Sequence, residues 1–352
     1  MRIASVEVVP YALPFREPYV TAVGRLDRRE MVLLRLRSEE GLIGLGEAVP
    51  LSLRGGTSLA EVVAELAELG RRETLDEETL RGDAIALSAP ARCAALTALL
   101  DLRGKRAAAG GSVAAEASPP VRCNATLVAG DPAAVVAAAE RWAADGFSTF
   151  KLKLGGGDEA AQVRAVREAL GPRARIRIDV NGAWDVETAK RTLDELESYE
   201  VELAEQPVAT LEEAMELARS TSIPIAGDES IESRADAERA AAMEACRMTG
   251  VKLSKVGGPE EAIEIAEVLP AYISSALDGP VGIAAAAQVA ATLGEAAVGG
   301  GPDLAHGLAT QRLFASTIAS VECRLEGDML HAPKGPGLGI EIDEAALNAH
   351  RL

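Results

Sequence analysis

The chain of 352 residues carries 54 acidic and 36 basic side chains, a formal net charge of −18, which argues against a nucleic-acid footprint or a basic membrane-surface patch. Its four cysteines (Cys93, Cys123, Cys246, Cys323) form no CxxC or Cys/His cluster, so neither a zinc site nor a disulfide framework is indicated and a reducing, cytoplasmic setting is expected. No stretch approaches the ~20 apolar residues of a transmembrane helix, and the length suits one barrel-sized domain with a smaller companion.

The N-terminal stretch MRIASVEVVPYALPF alternates like a strand and has neither an uninterrupted apolar core nor a small-residue cleavage site, so it is not read as a leader. Residues 2–13, 30–37 and 42–48 alternate or run apolar, with Ser38-Glu39-Glu40-Gly41 as a turn, which predicts a small antiparallel meander. Helices follow. Ser58-Leu59-Ala60-Glu61 is a capping-box pattern, and a long apolar helix is expected from about Ala91 to Arg106. Strands followed by helices suggest an α+β unit, and residues 107–121 have the composition of a linker.

From Cys123 onward strand and helix alternate without a break. Candidate strand ends lie near Thr126, Lys153, Asp179, Glu205, Asp228, Lys252, Ser275 and His306, and each interval has room for a helix and two short loops. Eight such units favour a closed (β/α)-barrel, with an open doubly wound sheet as the alternative on pattern alone. Residues 321–352 include a Gly/Pro-rich stretch and a short strand pair expected to return to the N-terminal unit.

Active groups of such barrels sit at the C-terminal ends of the strands. Those ends carry Lys151 and Lys153, which alternation places on one face, then Asp179 with Asn181, Glu205, Asp228 with Glu229, and Lys252. Taken singly, each has an ordinary explanation: Asp179 shapes a turn, Glu205 is an exposed loop residue, Asp228 caps a helix. Three carboxylates closing three consecutive strands repel one another unless a cation sits among them. An all-oxygen set suits Mg²⁺, with Mn²⁺ as the alternative. A lysine beside that ion and a second ammonium should lose its proton more readily and serve as a general base. The combination specifies proton abstraction next to a carboxylate. Gly155-Gly156-Gly157 and Gly257-Gly258 match no phosphate-binding fingerprint and read as ordinary turns. His306, near the last strand, reads as a packed or solvent-facing histidine in preference to a catalytic acid. Arg25, Arg28 and Arg29 form either an exposed basic loop or an anchor for an anionic substrate.

The motifs Lys151-Leu-Lys153, Asp179-Val-Asn181, Glu205-Gln-Pro, Gly227-Asp-Glu-Ser230 and Lys252-x4-Gly257-Gly258 together resemble the muconate lactonizing enzyme subgroup of the enolase superfamily. The resemblance implies a modified (β/α)7β TIM-like barrel with an α+β N-terminal capping domain: residues 1–115 as cap, 116–318 as barrel, and 319–352 returning to the cap. It implies Mg²⁺ on Asp179, Glu205 and Asp228, Lys153 and Lys252 on opposite faces of the substrate, Lys151 tuning Lys153, and Asn181 and Glu229 in support. The absence of a His-Asp dyad speaks against the mandelate racemase branch. Residues 303–310 lack the Asp-x-Asp of dipeptide epimerases. Ile273–Asp278 and Gly307–Thr310 look most like o-succinylbenzoate synthases of menaquinone biosynthesis, although Asp278 stands where that family more often has Glu. Ser274, Ser275 and Asp278, with Arg25 and Arg54 from two cap loops, are the expected substrate contacts. The partner is then a small-molecule carboxylate, with no nucleic acid or membrane and a homo-oligomer allowed. N-acylamino acid racemase, dipeptide epimerase and cycloisomerase reactions use the same residues. A non-catalytic sugar- or phosphate-binding barrel would leave both lysines unexplained.

Overall fold

The computed structural model describes residues 1–21, 24–51, 56–110, 118–154, 158–296 and 304–352. The N-terminal alternation becomes a long antiparallel pair, β1 (Arg2–Thr21) against β2 (Gly24–Ser38), which β3 (Ile43–Ala48) joins on the far side of β2. Both faces of β2 are covered. Val32, Leu34 and Leu36 pack into the cap's own core, whereas Met31 and Leu33 pack into the core shared with the barrel. That explains why the sequence there runs apolar instead of alternating.

Helix α1 (Leu59–Leu69) begins with the expected capping box between Ser58 and Glu61. A two-residue strand β4 (Leu75–Asp76), which pairs with β1, leads into α2 (Glu77–Ala84) and the long α3 (Ala89–Ala109). Helix α3 lies hard against β3 because two strand residues have no side chain. A Cβ on Gly44 would stand 2.1 Å from the Ala98 carbonyl oxygen, and one on Gly46 would stand 1.9 Å from that of Ala94.

The barrel opens with β5 (Val121–Arg122) and β6 (Ala125–Leu127), then α4 (Pro132–Ala144), β7 (Thr149–Lys153), α5 (Glu159–Leu170) and β8 (Arg175–Asp179). It continues through α6 (Val186–Leu196), β9 (Val201–Glu205), α7 (Leu211–Ala218), β10 (Ile225–Gly227), α8 (Arg234–Ala242) and β11 (Met248–Lys252). Then come α9 (Leu253–Val256), α10 (Pro259–Ala266), β12 (Ala271–Ser274) and α11 (Pro280–Ala296). Strands β6 to β12 form one parallel sheet in chain order. His306 and Gly307 close it. They bridge Cys123 on one side and Ser274 on the other, with His306 N–H donating to Arg122 O at 2.7 Å and Gly307 N–H to Ile273 O at 2.8 Å. The eighth barrel position is therefore filled, and the sheet is a closed (β/α)7β barrel with an α+β cap.

The C-terminal segment divides between the two parts. Strands β13 (Ala319–Val321) and β16 (Glu341–Ile342) pair with each other, while β14 (Arg324–Glu326) and β15 (Met329–His331) extend β5 at the base of the barrel. Helix α12 (Glu344–His350) and the last residues return to the cap, where Leu352 N–H donates to Pro10 O at 3.0 Å. The four cysteines are buried free thiols, and burial pushes those of Cys93, Cys246 and Cys323 up to about 12. Among the described residues no helix is long and apolar enough to cross a membrane.

Candidate active site

Parallel register sets Lys153 opposite Asp179 and Asp179 opposite Glu205, so three adjacent strands end at one height. Lys151, two residues before Lys153, shares its face. The Lys151 ammonium lies 2.6 Å from both oxygens of Glu205 and 2.8 Å from Asp179 Oδ2. Lys153 donates to the same Asp179 oxygen at 2.5 Å and to Asn181 Oδ1 at 2.9 Å. Asn181, at φ 55°, donates its side-chain amide to Glu229 Oε1 (3.2 Å) and its backbone N–H to Asp179 Oδ1 (3.1 Å). Across the mouth, Asp228 follows β10 and receives both Lys252 and Lys255, the latter at 2.9 Å from Oδ1. Barrel positions two and six lie opposite each other, so Lys153 and Lys252 face one another over the carboxylates.

Three supporting residues escaped the sequence reading. Lys255 reaches Asp228 because α9 turns it back one helical turn after Lys252. The Tyr272 hydroxyl donates to Glu205 Oε2 at 2.6 Å from β12. Gln206, at φ 39°, accepts the N–H groups of Asp228 and Ser230 at 2.8 and 3.2 Å and so fixes the turn that presents Asp228. The Lys-x-x-Lys spacing carried a readable hint of Lys255 and the Glu205-Gln-Pro motif one of Gln206; nothing local signalled Tyr272.

All three carboxylates are fully buried. Burial alone would push the Asp179 carboxyl up, but Lys151, Lys153 and Lys252 together hold it well below the usual carboxylate range. Asp228 is held down in the same way against burial, by Lys252, Lys255 and Lys151. Burial presses the Lys151 ammonium toward neutrality, yet Asp179 and Glu205 outweigh it, and its net shift is upward. The nearest charges to it are the Asp179 and Glu205 carboxylates. Lys255, for which burial dominates, is shifted downward.

Among the described residues no three carboxylates converge closely enough to form one metal shell as they stand, because each is drawn to an ammonium. The donor set nevertheless fits a hard divalent cation. Lys151 Nζ already occupies a point shared by oxygens of Asp179 and Glu205, a place where positive charge is held by two strands at once.

A cavity of about 230 Å³ lies over this cluster. Lys151, Lys153, Asp228 and Lys252 form its floor, and Ser274, Ser275 and Leu277 one wall. Tyr19, Arg29 and Leu51 line it from the cap. Asp278 is set behind the wall, where its Oδ2 accepts from Ser275 Oγ (2.8 Å) and Ala276 N–H (2.7 Å). Arg25 is exposed and paired with Asp27 at 2.9 Å, away from the cavity; Arg29 takes the place expected of it. Arg54 and Gly155–Gly157 lie outside the described residues. His306 is a packed histidine: its Nδ1 accepts Ile273 N–H at 3.0 Å, and burial with Arg177 nearby lowers its pKa to about 4.

Comparison with known proteins accords with this geometry. Residues 134–346 match the family described as enolase C-terminal domain-like, and residues 3–113 match the mandelate racemase/muconate lactonizing enzyme N-terminal domain. The o-succinylbenzoate synthase of Thermobifida fusca is 44% identical over 203 residues, a match covering 55% of this chain and 61% of that enzyme. Muconate cycloisomerase 1-2 of Acinetobacter lwoffii is 31% identical over 97% of this chain and 94% of its own length. The structure of a dipeptide epimerase from Enterococcus faecalis, complexed with Mg and L-Leu-L-Tyr, superposes with a TM-score of 0.87 at 26% identity, covering 97% of this chain and 100% of that one. The chain belongs to the enolase superfamily, within the muconate lactonizing enzyme subgroup.

Proposed function

We propose that this member of the subgroup is a Mg²⁺-dependent o-succinylbenzoate synthase, which removes water from a succinyl-hydroxycyclohexadiene carboxylate. The observation that carries the reading is the facing pair Lys153 and Lys252, one on each side of a buried carboxylate cluster at the floor of the cavity. A general base on one face and a fixed cation on the other suit deprotonation next to a carboxylate. Among the described residues the cavity walls from β12 and the eighth position offer Ser274, Ser275, Gly307 and Thr310, while Glu229 and Glu232 line it elsewhere. The higher identity to the Thermobifida fusca synthase supports dehydration among the reactions of the subgroup.

Asp179, Glu205 and Asp228 would hold the divalent ion, displacing ammonium groups that now neutralise them. When bound, that ion supplies positive charge to the enediolate oxygens of the substrate. Lys153, as the free amine, takes the proton from the carbon next to the substrate carboxylate, leaving the bonding pair on the enediolate. As that pair returns, the ring carbon–oxygen bond breaks and Lys153 gives its proton to the departing hydroxyl, releasing water and the aromatic product. Lys252 stays cationic on the opposite face. Asn181 orients Lys153 through its Oδ1. The cap residues Tyr19 and Leu51 keep water from the intermediate.

The muconate cycloisomerase match spans nearly the whole chain and favours a second reading, a cycloisomerase or N-acylamino acid racemase acting through the same lysines. The two readings part in D₂O. The Mg²⁺-loaded protein should aromatise the cyclohexadiene substrate rapidly and exchange the α proton of N-succinyl amino acids slowly. Rapid exchange into both enantiomers without aromatisation would replace the synthase with a racemase. Conversion of muconate alone would establish a cycloisomerase.

A further inference from the structure

Three arginines follow one another closely at the start of β2, and the fold treats the last of them differently. Arg25 pairs with Asp27 and Arg28 with Glu30, all at the surface. Arg29 is 6% exposed and lines the cavity from the cap side. Among the described residues its one hydrogen bond runs from Nη2 to the Pro50 carbonyl at 2.8 Å, and its Nε is buried with no partner there. Among the described residues no carboxylate forms an ion pair or hydrogen bond with it. Burial lowers the guanidinium to about 10, with Asp278, Tyr19 and Glu30 opposing that shift from a distance. It remains charged at neutral pH. A guanidinium has five N–H donors in a fork that matches a carboxylate, so a buried one with a single carbonyl partner keeps most of its capacity unfilled.

We propose that Arg29 binds a second carboxylate at the far end of the substrate, so that the site selects dicarboxylates: one carboxylate among the barrel's charged cluster, the other against the cap. The inference rests on the cavity being the site for an enolisable carboxylate, and it deepens that reading by assigning the substrate's remote end. The lysines lie on the barrel floor and Arg29 on the cap, so a ligand must have two separated anionic groups to engage both.

The test uses ligand pairs that differ only in that remote group, titrated calorimetrically into the Mg²⁺-loaded protein: o-succinylbenzoate against 2-butanoylbenzoate, and N-succinylphenylalanine against N-butanoylphenylalanine. The wild type should prefer the dicarboxylate of each pair by on the order of 10- to 100-fold. Arg29→Gln should reduce that preference to within about threefold while leaving monocarboxylate affinity nearly unchanged, and Arg29→Lys should restore part of it. Equal losses for both members of a pair would make Arg29 only a strut for Pro50 and overturn the proposal, as would an undiminished preference. If Arg29→Gln does not fold, the wild type and Arg29→Lys still decide, since no preference in the wild type also overturns it. Binding preference is read without turnover, so failure of the synthase reading would appear separately, as absent aromatisation by a protein that still discriminates.

Discussion

Glu47 Oε1 accepts the backbone N–H of Gly279 at 2.6 Å, tying the edge strand β3 of the cap sheet to the loop that walls the cavity. Its Oε2 accepts the Tyr11 hydroxyl at 2.8 Å, and the N–H of Gly282 in the first turn of α11 also points at the carboxylate. One side chain thus serves two parts of the chain. The wall it steadies contains Leu277 at φ 67°, a conformation a leucine adopts only when its surroundings impose it.

Burial, with the Asp278 carboxylate nearby, raises Glu47 to about 7 despite its three donors. The folded chain therefore holds this proton more tightly than the unfolded chain, where the carboxyl titrates near 4.5. The stability due to protonated Glu47 is complete below about pH 4.5 and is lost as pH rises through 7, on the order of 3 kcal/mol in all. Urea denaturation between pH 5 and 8 should show this downward slope in the wild type and not in Glu47→Gln. Parallel curves for the two proteins would remove Glu47 as its source.

Asp179→Asn, Glu205→Gln and Asp228→Asn should each lower turnover by about 10²–10³ or more, since each removes charge that would hold the divalent ion over the enediolate. Circular dichroism should change little, while calorimetric titration with Mg²⁺ should show weakened binding. Full activity after EDTA treatment would sink the metal assignment.

The two lysines should respond unequally to arginine. Lys153→Arg should abolish dehydration, because a guanidinium does not give up its proton at working pH. Lys252→Arg keeps a cation opposite the base and should retain measurable aromatisation. Equal inactivation by both changes, with substrate binding intact, would assign proton transfer to each face.

Gly46→Ala should cost about 2–3 kcal/mol, because its Cβ would meet the Ala94 carbonyl oxygen at 1.9 Å and push α3 off β3. Gly82→Ala in α2, whose Cβ would meet nothing within 4 Å, should instead stabilise by about 0.5–1 kcal/mol. Thermal melts of the two variants moving in the same direction would contradict the packing described.

Much of the layout of the candidate site was legible because it rides on short periodicities. Alternation along β7 puts Lys151 and Lys153 on one face, and recurring strand-helix units bring Asp179, Glu205 and Asp228 to successive strand ends, so residue order alone fixes which groups share the mouth. The Ser58–Glu61 cap was readable for the same reason. What the sequence left open depends on contacts between residues far apart in the chain. Arg25 and Arg29 look equivalent in a line of text, and only the packing of cap on barrel exposes one and strips the other of water. The Lys151 shift depends on distances to Asp179 and Glu205 that outweigh its own burial. Asp278 faces Ser275 because a turn places it behind the wall, and the barrel closes through only His306 and Gly307 because their backbone groups find Arg122 and Ile273 across a span that no local pattern encodes. Periodicity selects the face of a strand; the electric field and the solvent a side chain meets are set by everything that packs around it.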